Sequence, residues 1–342
     1  MKNRVLVAMS GGVDSTYVAI KLKEQGYEVI GTTFKINNSD SSVRSVIDAK
    51  LICDMLNISH VQLDFESLFK EKVIDYFVLE YSKGLTPNPC VICNKEIKFK
   101  ALNELRKSLN CQYIATGHYA KIVNLDNKYY IKRATNIKKD QSYFLNQISK
   151  DILPYLMFPL STIDSKDEVR EYLRQKNIVI AEKKESQEIC FVDNTNLKCF
   201  LNEYIKPKVG NILNSNGDIL GKHSGAHCFT IGQRKGLGIS TTSPVYVLKT
   251  NIDKNIVYVG TKELLYSDHV IIDNINILAK EFLTTTLYGK IRFRTNMAKI
   301  QKIEFHQNTA DIYFDEKQKS ITPGQFLVIY HDDILVLGGK IT

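Results

Sequence analysis

Short apolar runs and longer amphipathic stretches alternate along the first half of the chain. Residues 5–8, 29–34, 61–65 and 113–115 are brief apolar runs bounded by polar turns, the pattern of buried strands. Between them, residues 16–25, 43–56 and 68–81 repeat apolar side chains at helical spacing, the second through Val43, Val46, Ile47, Cys53 and Leu56. Gly26 closes the first helix. Such alternation predicts an α/β domain whose parallel sheet is covered by helices on both faces. Helical patterning continues over 166–176 and 197–205. After Pro207 the period changes to short runs rich in Val, Ile, Tyr and Thr, punctuated by Gly, Asn and Asp. Strands are predicted at 245–249, 256–259, 270–272, 288–293, 302–305, 310–314 and 326–330. This half should be antiparallel β, a small central module and then a barrel. The expected divisions are 1–206, 207–267 and 268–342.

Open parallel sheets bind ligands outside the carboxyl ends of their strands. Residues 10–15, 34–37 and 116–118 fall at such ends. The first reads Ser10-Gly11-Gly12-Val13-Asp14-Ser15, between a strand and a helix. Glycines let backbone N–H groups approach phosphate closely, and a helix start adds positive potential. The lysine of the G-x-x-x-x-G-K-[ST] phosphate loop is absent, which disfavours transfer of a γ-phosphoryl group. An ordinary helix start capped by Asp14 or Ser15 is the plainer reading of a glycine pair. The whole string behind a buried strand favours a phosphate site.

Composition changes the picture little. The chain has 342 residues, 44% hydrophobic and 24% charged, as in ordinary globular proteins. No apolar stretch reaches spanning length, and Met1-Lys2-Asn3-Arg4 runs straight into a strand without a signal-peptide pattern. The expectation is a cytoplasmic protein without membrane contact. Its seven cysteines then read as thiols, redox centres or ligands before disulfides. A net charge of +9 suits a polyanion, or simply a lysine-rich surface.

The chemistry concentrates in a few segments. Thr86-Pro87-Asn88-Pro89-Cys90-Val91-Ile92-Cys93 presents a Cys-x-x-Cys pair after an extended approach set by two prolines. Alone, the pair fits a redox dithiol or half of a metal site, and no second such pair supplies two more zinc ligands. No metal site is therefore expected. Cys190 stands in a short apolar patch after a charge run, where core packing is the plainer reading. Cys53, Cys111, Cys199 and Cys228 read as packing residues.

In order, S-G-G-V-D-S, T-P-N-P-x-x-x-C-N-K-E-I-K-F, A-T-G-H-Y, K-D-Q-S-Y-F-L, K-K-x-S-Q-x-I-C-F, T-I-G-Q-R-K-G-L-G-I and P-G-Q span nearly the whole chain. The set resembles the tRNA-specific 2-thiouridylases (the MnmA/TrmU family) of the PP-loop ATP pyrophosphatase superfamily. The resemblance implies an adenine nucleotide alpha hydrolase-like PP-loop fold in the N-terminal domain. It implies an enzyme, a tRNA-uridine 2-sulfurtransferase. ATP, with Mg²⁺, adenylates C2–O of wobble uridine 34, releasing pyrophosphate, and sulfur then replaces the oxygen as AMP departs. By resemblance, Cys93 is the nucleophile and Cys190 the persulfide carrier, ending in a transient Cys93–Cys190 disulfide. Cations such as Lys95 would favour the thiolate.

The same resemblance assigns Ala8, Met9, Ser10, Gly11, Gly12, Val13, Asp14, Ser15, Phe34 and Gly117 to ATP. It assigns Asn88, Pro89 and Cys90 to the extruded target base. His118, Lys139, Asp140, Gln141, Arg292, Phe293 and Gln325 are assigned to the tRNA, with the β half embracing the anticodon stem-loop. Without the resemblance, His118 reads as a structural histidine, Lys139-Asp140-Gln141-Ser142 as a capped helix start, Arg292, Phe293 and Arg294 as an exposed strand face, and Gln325 as part of a β-turn. A cysteine desulfurase or a sulfur relay protein is the implied sulfur donor.

Many family members carry Asp where this chain has Cys90. That departure opens a second route, an iron–sulfur cluster held by Cys90, Cys93 and Cys190. Two further alternatives are another PP-loop ATP pyrophosphatase, as in lysidine, argininosuccinate or GMP synthesis, and a non-catalytic tRNA-binding protein. Amide or amine transfer needs no thiol, so the paired cysteine segments favour sulfur transfer.

Overall fold

The computed structural model describes residues 3–182, 189–192 and 197–342. They fall into two units. The first unit is built on β1 (Arg4–Ala8), α1 (Val13–Glu24), β2 (Glu28–Lys35), α2 (Asp40–Met55) and β3 (Ser59–Asp64). The predicted helix over 68–81 is instead three pieces: α3 (Glu66–Phe69), a π-helical stretch over Lys70–Asp75, and α4 (Tyr76–Ser82), which belongs to the second unit. Phe69, Val73, Phe77 and Tyr81 are all buried at a spacing of four. A wider π turn keeps such a spacing on one face better than an α-helix does.

The chain continues through α5 (Pro89–Cys93), a second π-helical stretch over Asn94–Lys98, and α6 (Phe99–Ser108). Next come β4 (Tyr113–Ala115), the hairpin of β5 (Ala120–Leu125) and β6 (Lys128–Arg133), then β7 (Leu156–Met157), α7 (Lys166–Gln175) and α8 (Leu197–Tyr204).

The first sheet has the order β3-β2-β1-β4-β7, every pair parallel. Val5, Leu6 and Val7 of β1 are fully buried, as covering on both faces requires. The chain steps from β1 outward to β3, then returns to the other side of β1 with β4. That reversal opens a crevice at the carboxyl ends of β1 and β4. Residues 10–15 and 116–118 follow those two ends.

Helix ends show what the pattern left out. Ser165 caps α7, its hydroxyl accepting from the Glu168 N–H at 3.2 Å. Asn57, Asn110 and Asn177, with φ of +50°, +52° and +57°, close α2, α6 and α7 in left-handed conformation. The β5–β6 hairpin, absent from the sequence expectation, turns on Asp126 and Asn127 at φ +49° and +61°. In α2 the buried side is Ser42, Ala49, Ile52 and Cys53, while Val43 and Ile47 are exposed. The apolar stripe read from the sequence is thus partly on the wrong side.

The second unit contains two β structures. A four-stranded sheet has the order β10 (Tyr246–Asn251), β11 (Ile256–Gly260), β8 (Gly210–Leu213) and β9 (Ile219–His223), with β11 and β8 parallel. Six antiparallel strands form the barrel: β12 (Tyr266–Ile277), β15 (Thr309–Lys319), β14 (Ala298–Phe305), β13 (Tyr288–Lys290), β16 (Phe326–His331) and β17 (Ile334–Ile341), closed by β12 on β17. Ile272, Ile312, Leu327 and Ile329 fill its interior. In the same unit, Phe77 of α4 packs edge-on to Phe191 and Phe200, with ring centroids 5.3 and 6.2 Å apart. Among the described residues no helix is long and apolar enough to cross a membrane.

Candidate nucleotide turn and cysteine sites

The turn after β1 is shaped by its backbone. The Met9 N–H donates to the Thr32 carbonyl at 2.7 Å, carrying the sheet ladder one residue past Ala8. Gly11 then takes φ +62°, and a Cβ there would lie 2.5 Å from the Ser45 carbonyl oxygen. Only glycine satisfies both conditions. The residue capping α1 is Gly12, at φ −111° and ψ 168°, with no side-chain cap. The expected cap by Asp14 or Ser15 is therefore not formed, because both lie inside the first turn. Ser15 Oγ instead accepts from the Ser10 N–H at 3.1 Å and donates to the Gly12 carbonyl at 3.1 Å. Thr16 Oγ1 donates to the same carbonyl at 2.8 Å. These hydroxyls brace the turn and leave the helix start, with its positive potential, to a ligand.

Asp14 is held on both oxygens. Tyr119 Oη donates to Oδ1 at 3.1 Å, and Lys166 Nζ pairs with Oδ2 at 3.0 Å. Gly117 lies against this carboxylate: a Cβ there would be 3.1 Å from the Asp14 Cβ. Phe34, half-buried at the end of β2, meets Phe65 edge-on at 5.2 Å. Tyr119 and Lys166 were not singled out from the sequence. Lys166 carried a signal: it opens α7, where the helix dipole disfavours a cation.

The string Thr116-Gly117-His118-Tyr119 joins this turn to a second cluster. The Tyr119 N–H donates to Gln141 Oε1 at 3.1 Å, and the Gln141 N–H donates to the Tyr119 carbonyl at 2.7 Å. Asp140 is buried, and its carboxylate accepts from the Ala134 N–H at 3.0 Å, the Ser142 N–H at 3.2 Å and Ser142 Oγ at 2.9 Å. Its oxygens serve their own turn and leave Lys139 and Gln141 at the half-buried surface. His118 Nδ1 lies 2.7 Å from Thr116 Oγ1, and its ring stacks on Phe99 at 5.8 Å. Burial, helped by the charge of Lys98, holds this imidazole well below its ordinary pKa. It is neutral at pH 7.

Pro89 opens α5, and Cys93 closes it. Cys90 is exposed and Cys93 half-exposed. Enclosure by protein nonetheless raises both thiols above their ordinary pKa, the Lys98 charge opposing the rise at each and Cys93 adding to it at Cys90. Five residues, the hydrogen-bond step of a π-helix, separate Cys93 from Lys98, the end of that stretch. The cation that bears on the thiols is therefore Lys98. Lys95, expected in that part, reaches Gln147 Oε1 at 3.4 Å. Asn94 anchors the stretch by donating to the Phe144 carbonyl at 3.0 Å. Among the described residues no group of three or more His, Cys, Asp or Glu side chains is gathered as a metal site.

The second unit holds the remaining candidates. Asn88 is half-buried and Pro89 buried. Cys190 is exposed, beside the buried Phe191. Residues 183–188 of its motif lie outside the described residues. Arg292 does not alternate on a strand with Phe293 and Arg294: β13 ends at Lys290, and a turn follows, with the Thr295 N–H donating to the Arg292 carbonyl at 3.2 Å. The Arg292 guanidinium donates to the carbonyls of Ile231 and Ser320, each at 3.0 Å, and to Thr322 Oγ1. The Lys290 ammonium sits 5.7 Å over the Phe293 ring. Gln325 Nε2 donates to the Thr86 carbonyl at 2.7 Å, and the Pro323 carbonyl accepts from the Thr86 N–H at 2.9 Å. The Pro323-Gly324-Gln325 turn thus grips the start of the segment that leads to Cys90. Of the four cysteines expected to pack, Cys53 and Cys111 are buried, Cys228 is half-buried, and Cys199 is exposed on α8. Burial pushes the Cys53 thiol up to about 12.

Three family models match in succession: a tRNA methyl transferase HUP domain over residues 3–194, a tRNA methyl transferase PRC-barrel domain over 198–261, and an aminomethyltransferase beta-barrel domain over 267–341. The chain is 41% identical over 348 residues to the tRNA-specific 2-thiouridylase MnmA of Hydrogenobaculum sp., covering 99% of each. It is 42% identical to the protein of that name from Halothermothrix orenii, again covering 99% of each. It is 43% identical to tRNA-specific 2-thiouridylase MnmA 1 of Fusobacterium nucleatum, covering 98% of this chain and 92% of that one. Among solved structures, U34-tRNA thiolase NcsA from Methanococcus maripaludis with its [4Fe-4S] cluster shares 20% identity at a TM-score of 0.39, covering 59% of this chain and 65% of that one. That likeness is too slight to transfer its cluster.

Proposed function

The chain belongs to the family of tRNA-specific 2-thiouridylases, and from that premise we propose how its own residues divide the work. The enzyme is a tRNA sulfurtransferase that binds ATP and acts on tRNA. The turn around Gly11 and Gly12 takes the phosphates on backbone N–H groups. Phe34 borders the adenine, and Gly117 leaves room beside Asp14. A lone carboxylate such as Asp14 suits Mg²⁺, which takes one or two carboxylates alongside phosphate oxygens. When bound, that ion screens the polyphosphate charge.

The C2 oxygen of uridine 34 attacks the α-phosphorus of ATP, and pyrophosphate leaves. The terminal sulfur of a Cys190 persulfide then attacks C2, and AMP leaves. The Cys93 thiolate attacks the Cys190 sulfur. The S–S electron pair passes to the sulfur that stays on C2, and a Cys93–Cys190 disulfide remains for a dithiol to reduce. Lys98 favours the Cys93 thiolate against its enclosure. Asn88, Pro89 and Cys90 line the place of the extruded base, with neutral His118 and the surface residues Lys139 and Gln141 beside the RNA. Asp140 holds their turn. Phe293 and Gln325 of the barrel unit remain assigned to the anticodon stem-loop, Arg292 now through the turn it shapes. A cysteine desulfurase or relay protein would load Cys190, and the cytoplasm is the compartment that fits such a reducible cycle.

The observation that carries this reading is the uncapped glycine turn with Asp14 held at its mouth, in a chain that also presents an accessible Cys-x-x-Cys helix. The alternatives of a cluster enzyme, an amide-forming synthetase or a non-catalytic RNA binder draw no support from the family match. Incubation with ATP, Mg²⁺, a persulfide-generating desulfurase and unmodified tRNA should yield 2-thiouridine by mass spectrometry. Absence of 2-thiouridine, with tRNA-independent release of pyrophosphate, would refute the proposal.

A further inference from the structure

Val91, Asn94 and Ile97 form one buried row along the thiol helix and the π-helical stretch after it, at 0, 2 and 1% exposure. An amide in such an apolar row is costly. Asn94 Nδ2 donates to the Phe144 carbonyl at 3.0 Å, but its Oδ1 finds no partner among the described residues, and a buried acceptor left unmade lowers stability. An apolar side chain would pack there without that cost. What the amide adds is register: one buried polar contact fixes how a helix sits against its neighbour, as apolar packing does not. Register matters at this place. α5 is five residues long, and the π turn that follows is a rare conformation that an α turn could replace. In the π turn the fifth residue after Cys93, Lys98, bears on the thiol. In an α turn the neighbours three and four residues along would be Glu96 and Ile97. The acceptor is a fixed support. Phe144 belongs to the 3₁₀ turn over Ser142–Leu145, whose Tyr143 and Leu145 are fully buried, and its own N–H donates to the Gln141 carbonyl at 3.0 Å.

We propose that Asn94 is a positioning residue for sulfur transfer: its bond to Phe144 holds the π register that sets Lys98, rather than Glu96 and Ile97, beside the Cys93 thiol. The inference rests on the role of Cys93 proposed above. The attacking sulfur must be a thiolate. Enclosure works against that form of Cys93, and Lys98 is the charge that opposes the enclosure; the other titratable groups within reach of Lys98 are the Cys90 thiol and the neutral His118. Activation of uridine by ATP makes no use of this register. The two half-reactions should therefore part when Asn94 is changed.

That separation gives the test. Asn94→Ala, which keeps a high helix propensity, and Asn94→Leu, which fills the same buried space, are compared with the wild type as full-length proteins. Three quantities are followed: 2-thiouridine formation in a single turnover with a persulfide-generating desulfurase, tRNA-dependent release of pyrophosphate, and alkylation of Cys93 by iodoacetamide against pH, read by mass spectrometry. Each variant should slow thiolation by about tenfold or more while pyrophosphate release stays within about twofold. The midpoint of Cys93 alkylation should move to higher pH, because a cation that favours the thiolate has withdrawn. A merely structural contact would depress both half-reactions together or leave the alkylation midpoint in place, and either result overturns the inference. So does thiolation within about twofold of the wild type. Asn94→Leu decides the matter should Asn94→Ala fold poorly. A wild type that forms no 2-thiouridine would instead refute the sulfur-transfer function beneath it, and the alkylation midpoint would still decide the role of Asn94.

Discussion

The glycine turn and the barrel treat their polar motifs in opposite ways. At the turn, a contiguous string of six residues is the proposed phosphate site, whose chemistry would be backbone direction, and glycine sets that direction locally. In the barrel unit, Arg292 and Gln325 spend their donors on Ile231, Ser320, Thr322 and Thr86. There the motif residues shape loops, and the loops meet whatever lies outside. A motif read from sequence therefore marks the working atoms where the backbone does the work, and only the supporting frame where long side chains do.

The sharpest tests bear on motif residues proposed to act through their own atoms, the thiols first and then the glycine turn. Cys93→Ser and Cys190→Ser should each abolish thiolation while tRNA binding, followed by filter retention, stays within about twofold; the exchange step needs a thiolate that serine cannot supply. Gly11→Ala should come next. It combines left-handed strain of about 1–3 kcal/mol with the clash on Ser45, so ATP affinity should fall by about a hundredfold in calorimetry. If it retained ATP affinity, the backbone would not be the site.

The barrel should answer differently. Arg292→Ala removes charged donors from several acceptors, so urea denaturation should show a loss of about 2–3 kcal/mol. The slope of tRNA affinity against salt should scarcely move. A slope shallower by about 0.7–0.9, one phosphate contact, with stability unchanged, would show that Arg292 touches RNA directly and would erase the contrast.

The smallest effect concerns His223 and His227 of the second unit, both buried, with burial holding each below its ordinary pKa of 6.5. Below that value the unfolded chain takes up protons that the folded unit refuses. Stability should therefore be flat above about pH 6.5 and decline as pH falls beneath it. Melting of His223→Gln against pH should show a shallower decline than the wild type.

The strand–helix alternation was legible because short buried strands carry their own pattern, and β1, β2 and β4 sit where it put them. The β5–β6 hairpin was missed: Asp126-Asn127 is a weaker turn signal than Asn-Gly. The exposed side of α2 was misread because apolar spacing does not say which face finds a neighbour. At the proposed nucleotide site, Gly11, Gly12 and Asp14 were visible as a string. Tyr119 was not, since its partner lies 105 residues away, and Lys166, 152 residues from Asp14, showed only as a cation set against the helix dipole. Lys95 was named from the sequence only as one nearby cation; that Lys98 bears on the thiols follows from the π-helical path of 94–98, which residue types alone do not show.

The grip of Pro323-Gly324-Gln325 on Thr86 has a mechanical side. Thr86 and Cys90 are joined by four peptide steps, at most about 14 Å of chain, and two prolines stiffen that leash. Loosening the barrel turn would free Thr86, 239 residues away in sequence from Gln325, and lengthen that leash at its barrel end.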